Sequence, residues 1–431
     1  MITPPALSDA SFALCIALLA LIPFAAIGFA LINTGLGRSR SAAHAMLASL
    51  CVPGVAAISF VIFGFAWEGT AGGSAHILIM RGNPWNWLAV QPLFFRGLVP
   101  GSNASLIAYM QMLCVGIAAL IPLGSGTDRW KLGAICGSTF LFSAITYPIF
   151  AHWVWGGGWL TELSRYGMGL GLIDCGGSGT IHAAGGLTAL SIAWLLGPRR
   201  GKYSHDGMPT AIPGHNSTLV LVGCMFALIG FLALNSAGAL LLAGVSRWQL
   251  VLVLVNTFLA AATSSLATLG TTRIRFGKPD ASLSANGWIA GLVAISASCA
   301  FVVPAAAILI GAVAGMLLPF AIDVFEFRLG IDDPGGSISV HGVAGLWGLF
   351  AAGLFAHLSG SGPGQLLAQI IGIATLLGFV LPLTYGLNWA LDRVYPQRVS
   401  GDGERQGMDL HELGADAYPE FAIHTDEFMT R

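Results

Sequence analysis

The chain has 431 residues, of which 55% are hydrophobic and only 9% are charged, against roughly a quarter charged in an ordinary soluble domain. So few charges cannot clothe a surface that faces water, so most of it must face lipid. A formal net charge of −1 argues against nucleic acid as a partner.

The apolar run that opens the chain has no basic stretch before it, so it is expected to be a retained membrane helix and not a cleaved signal. Candidate spans are apolar segments of about 18 residues or more, since a helix rises about 1.5 Å per residue across a core of roughly 30 Å. Eleven emerge, at about 9–36, 43–67, 104–124, 131–154, 179–197, 217–241, 246–269, 285–300, 302–323, 337–358 and 364–391. The eighth and ninth form one apolar stretch, with the break placed near Val303-Pro304. An all-α integral membrane protein is the expected fold class, with residues 1–392 in the membrane and 393–431 as a cytoplasmic tail.

Loop charge sets the orientation. Of the 19 Lys and Arg residues, an outside N-terminus leaves only Arg81, Arg96, Arg165 and Arg247 in outer loops and fifteen in inner loops and tail. This positive-inside bias predicts an N-out, C-in topology. Residues 69–103, with Trp85, Trp87, Phe94 and Phe95, are expected to form a long outer loop resting at the interface.

One phrase occurs twice. Asp174-Cys-Gly-Gly-Ser-Gly-Thr-Ile-His182 matches Asp333-Pro-Gly-Gly-Ser-Ile-Ser-Val-His341, and each continues to Gly-Leu within an apolar run. The two copies open spans five and ten, which predicts two five-helix repeats (about 8–200 and 215–358) and an eleventh helix at 364–391. An odd number of spans per repeat forces the halves to lie inverted, and such repeats place the functional path near the midplane between them.

An ionisable residue within a membrane span is by default a functional candidate. His182 and His341 lie four to five residues beyond Ser-x-(Thr/Ser) sequences expected to cap their helices. Two facing imidazoles can share one hydrogen bond and still offer a donor and an acceptor, or relay a proton. The plainer reading is a pair of histidines bonding two helices together. Gly-Gly after each Asp sets Asp174 and Asp333 just ahead of their helices, where a carboxylate caps free N–H groups. Capping is expected for the inner pair, Asp332 and Asp333; Asp174, at the outer side, is open to capping or to attracting a cation. Trp155, followed by three glycines, is expected at a bend that turns its indole into a mouth, where it can hold a small cation. The seven cysteines stand singly with no CxxC or Cys/His cluster, so no disulfide framework, metal site or cofactor is expected. No nucleophile–base set appears, so an enzyme is not expected.

These stretches resemble the ammonium transporter (Amt/Rh) family: Asp174 through His182, Asp332-Asp333-Pro through Val340-His341-Gly-Val, Trp155-Gly-Gly-Gly, and the tail segment Gly407-Met-Asp409-Leu through Gly414-Ala-Asp-Ala-Tyr418. The resemblance implies a homotrimer in the inner (plasma) membrane with one narrow apolar pore per subunit, conducting ammonium/ammonia, with methylamine as a further cargo. It makes His182 and His341 the pore pair, Asp174 and Trp155 the recruiting residues, and Gln111 a pore-adjacent glutamine. Gly407, Asp409, Gly414 and Tyr418 become a regulatory tail, with a PII-type signalling protein as the partner at the cytoplasmic face. The chain departs from the family at the two stacked phenylalanines above the pore, which align with Cys114 and Leu234, and at a vestibule serine, which aligns with Gly238. Phe226 and Phe231 offer another register for the missing rings. The rival expectations are an ammonium sensor reporting through its tail and a channel for another small neutral solute.

Overall fold

In the computed structural model, residues 7–357, 362 and 364–418 are described. Residue 358, the expected end of span ten, and residues 419–431 of the tail lie outside them. Among the described residues the helices are α1 Asp9–Leu36, α2 Ser39–Glu68, α3 Asn103–Gly126, α4 Leu132–Val154 and α5 Ser178–Leu196. They continue as α6 Ser217–Leu241, α7 Arg247–Phe276, α8 Ala281–Ser296, α9 Pro304–Arg328, α10 Ile338–Phe355 and α11 Gln365–Val394. Ten are long and apolar enough to cross a membrane, and the chain is a multi-pass helical membrane protein.

The shorter one, α8, departs from the expected span at 285–300. It has 16 residues, about 24 Å at 1.5 Å per residue. Its end is set by tertiary hydrogen bonds. Cys175 and Gly176 donate their N–H groups to the carbonyls of Ala297 and Ser296 at 3.0 and 2.8 Å, and Asn256 Nδ2 donates to those of Cys299 and Val302 at 2.9 and 2.8 Å. With its last carbonyls claimed from outside, the helix gives way to turns until Pro304 starts α9.

Small residues let the bundle close. A Cβ at Gly28 would collide with the backbone of α6 at Gly223 and Ala227, and one at Gly315 with the backbone of α7 at Ser264. Without a hydrophobic drive between helices in lipid, such close backbone approach supplies the packing contacts that hold them. Burial sorts the helices: 89% of the most apolar stretch of α5 is buried and only 28% of that of α11. Thus α5 is central and α11 peripheral.

The segment 69–103 differs from the loop expected there. Residues Ala75–Met80 (β1) and Asn83–Ala89 (β2) pair antiparallel, so the fold is mostly but not wholly helical. Arg81 and Gly82 join them, both at positive φ, as a two-residue hairpin turn requires. The hairpin folds onto the end of α4. Trp153 donates Nε1–H to the Trp87 carbonyl at 2.8 Å, and the rings of Trp85 and Trp159 lie 5.8 Å apart.

The tail folds back on the helix ends. Lys131 N–H reaches the Gln397 carbonyl at 3.1 Å and Val399 N–H the Arg129 carbonyl at 3.0 Å. Helix α12 (Gly401–Gln406) follows, capped by Ser400 Oγ. Asp409 then accepts from the N–H groups of Ala43 and His44 at 3.1 and 2.7 Å. Gly407 packs on Arg40, Gly414 holds a left-handed turn, and Tyr418 Oη meets His215 Nε2 at 3.1 Å.

Candidate functional site

The Asp-Gly-Gly phrases build two helix starts in the same way. Gly177 and Gly336 take positive φ (89° and 68°) and turn the chain into α5 and α10. Asp174 Oδ2 then accepts from Gly179 N–H, Thr180 N–H and Thr180 Oγ1–H at 3.1, 2.8 and 2.8 Å. Asp333 accepts from Ser337 N–H, Ile338 N–H and Ser125 Oγ–H at 3.1, 2.7 and 2.6 Å. Both aspartates are thus caps. The serines expected to cap are not: Ser178 Oγ donates to the Val293 carbonyl at 2.6 Å and accepts from Ala297 N–H at 2.7 Å. Asp332 also departs from the expected capping role. Its carboxylate takes the Arg199 guanidinium through both oxygens, at 2.9 and 3.0 Å.

Each first turn is a π-turn, Ser178–Ala183 and Ile338–Val343, a geometry often found at functional sites. The helices cross where a Cβ on Gly186 would strike the backbone of Gly342. That crossing brings the histidines together, with Nδ1 to Nδ1 at 3.3 Å and the rings nearly parallel at 24°. One ring donates and the other accepts. His182 is wholly buried and His341 nearly so, and His182 Nε2 has no partner. Phe231 stacks on His182 at 5.0 Å and 8°, while Phe29 meets His341 edge-on at 5.0 Å. Below them lies a void of about 10 Å³ against Phe29, Ile32, Val340 and His341, room for about one water molecule.

A cavity of about 980 Å³ is lined by Trp155 along with Asp9, Phe12, Thr70, Ile107 and Leu242. Trp155 is fixed by its Nε1–H bond to the Asp174 carbonyl at 2.8 Å. Asp174 itself is buried and not part of the cavity wall, although its Oδ1 has no partner. Gln111 is buried and accepts from Tyr147 Oη–H at 2.7 Å. Cys114 and Leu234 are fully buried. Phe226 stacks on Phe24 of α1 at 5.8 Å, whereas Phe231 lies on His182 with its ring 6.2 Å from that of Phe29. The Cys175 carbonyl occupies the space where a side chain on Gly238 would begin.

Sequence reasoning missed Phe29, Tyr147 and Asp9, and named Phe231 only as another register for the missing rings. Their partners come from distant helices, and only Asp9, a charge at the start of an apolar run, carried a local signal.

A polytopic helical bundle that buries two hydrogen-bonded imidazoles between aromatic rings, with an aromatic-walled cavity on one side, has the architecture of a membrane transport protein. The model of the Ammonium Transporter Family matches residues 13–418. "Ammonium transporter Amt2" of Archaeoglobus fulgidus is 35% identical, over 94% of this chain and 88% of that one. "Ammonium transporter" of Bacillus subtilis is 29% identical, over 91% and 94%. Among solved structures, "Sensor Amt Protein" aligns with a TM-score of 0.84 at 28% identity, over 93% of this chain and 97% of that one. Mep2 of Candida albicans aligns with a TM-score of 0.78 at 24% identity, over 96% and 92%, and speaks for the fold alone. The chain belongs to the ammonium transporter family.

Proposed function

We propose that the chain conducts ammonium/ammonia, with methylamine as a further cargo, across the inner (plasma) membrane. The observation that carries this is the histidine pair, held at 3.3 Å between Phe231 and Phe29. A cation is collected in the outer cavity, where the Trp155 face attracts it and the Asp174 carboxylate lends its field. It gives up its proton there, since a charge in the apolar interior is costly, and the histidine pair relays that proton separately, so that net charge crosses. Neutral ammonia then passes His182 and His341, which offer it one donor and one acceptor in turn. Membership of the family supports this cargo.

The reading takes α8 as an eleventh span completed by the turns after it, in an N-out, C-in protein of two inverted repeats. The matched Asp174 and Asp333 caps support the repeats, and the bias of Lys and Arg toward inner loops supports the orientation. The homotrimer and a PII-type partner at the docked tail rest on the family likeness. A second reading, an ammonium sensor that reports through its tail, is favoured by the likeness to "Sensor Amt Protein". Pulses of ammonium on proteoliposomes adsorbed to a solid-supported membrane separate the two. Wild type gives a current that His182→Ala/His341→Ala abolishes. Equal currents in both sink the conduction reading, and tight binding with no current favours the sensor.

A further inference from the structure

Cys175 and Cys299 take no part in the transport reading, yet the fold brings them together. Their Sγ atoms lie 3.8 Å apart, both thiols are free, and both are buried. The contact is not a chance brush of long side chains. The two N–H bonds from Cys175 and Gly176 to Ala297 and Ser296 pin one backbone to the other, and Ser178 Oγ bridges to Val293 and Ala297. A disulfide needs its sulfurs at about 2.0 Å, a closure of under ~2 Å.

We infer that Cys175 and Cys299 are a site of oxidative modification, and that a disulfide between them throttles the outer mouth. Resting on the transport reading for its effect on flux, the throttling acts through Asp174. The residue next to Cys175 supplies both the Trp155 anchor and the cap of α5, which carries His182. The Cys175 carbonyl is wedged against Gly238, so the segment has no slack on that side. Drawing Cys175 toward Cys299 therefore shifts the Trp155 anchor and the start of α5 together. In the reaction each thiol gives up its proton and the pair gives up two electrons. A small neutral two-electron oxidant accepts them: a peroxide, which leaves as two waters, or an azodicarboxamide, which leaves as the hydrazine. The first thiolate adds to the oxidant, and the second displaces it to form the S–S bond.

The test treats the full chain in proteoliposomes with diamide, then alkylates and maps peptides by mass spectrometry. Flux is read before treatment, after it, and after dithiothreitol. Wild type is expected to yield a linked 175–299 peptide and to lose most of its flux, recovering it on reduction. Cys175→Ser and Cys299→Ser are expected to keep flux throughout. Absence of the linked peptide overturns the proposal, as does a link that leaves flux unchanged or equal loss in the serine variants. If untreated protein carries no flux, the transport reading fails while the peptide map still decides whether the pair forms.

Discussion

At Asp174, structure and charge can be told apart by chemistry. Its Oδ2 holds three donors of the α5 start, while Oδ1 is buried without a partner. Asp174→Ala strands those donors and is expected to cost about 1–3 kcal/mol of stability. Asp174→Asn keeps an acceptor oxygen and removes the charge, so it is expected to fold near wild type and to lose flux. Thermal unfolding in detergent beside ammonium currents reads both, and a fully active Asn variant would make Asp174 a cap and nothing more. The histidines were legible because their phrase occurs twice. The Ser178 hydroxyl was misjudged because its partners, Val293 and Ala297, lie on and just beyond a helix more than a hundred residues away. Phe29, and the place of Phe231 on His182, were hidden for the same reason: an apolar ring in an apolar run carries no mark until its neighbour is known.

At the scale of elements, the tail is the informative piece. Asp409 caps the start of α2 at Ala43 and His44, and Glu412 accepts from Leu132 N–H at 2.8 Å at the start of α4 while meeting His44 Nε2 at 3.1 Å. One short segment therefore ties two helix starts together. Burial pushes the Glu412 carboxyl up, but the His44 and Leu132 hydrogen bonds and the charges of His44 and His411 outweigh it, and its pKa lies below the ordinary 4.5. A depressed carboxylate stabilises the docked tail above its ordinary value, and that contribution is lost as the pH falls through the lowered one. The tail is expected to loosen as the pH falls below about 4.5, and Glu412→Gln to show that looseness already at pH 7. Spin labels on the tail and on the start of α4 would measure it, and a distance unchanged between pH 7 and pH 3.5 would refute it. Composition alone revealed the long helices. It could not reveal the 75–89 hairpin, whose alternating Trp side chains find their partners on α4, nor the early end of α8, which is imposed by Cys175, Gly176 and Asn256.

Across the whole molecule, α5 and α10 are fastened by buried charge as well as by the histidines. Arg199 follows α5 and Asp332 precedes α10, and both are nearly inaccessible. Their fork-to-fork contact is joined by Asp128, which Arg199 reaches at 3.2 Å, and by Arg129, which donates to the Asp332 carbonyl at 2.9 Å. Burial pushes the Asp332 carboxyl up, but the Arg199 and Arg129 guanidinium groups hold it below the ordinary 3.8. Removing one partner of such a pair leaves a buried charge uncompensated, so Arg199→Ala is expected to cost about 3–5 kcal/mol. Arg199→Met with Asp332→Leu removes both charges and is expected to regain most of that stability, since well-packed apolar residues commonly replace a buried ion pair without loss. The two variants then separate two roles by unfolding temperature and ammonium current. If the double variant is stable but carries little current, the pair sets the spacing of α5 and α10, and with it the 3.3 Å contact of His182 and His341. If it is stable and fully active, that spacing is held by the Gly186–Gly342 crossing alone, and the ion pair serves only to neutralise charges that the flanking loops bury.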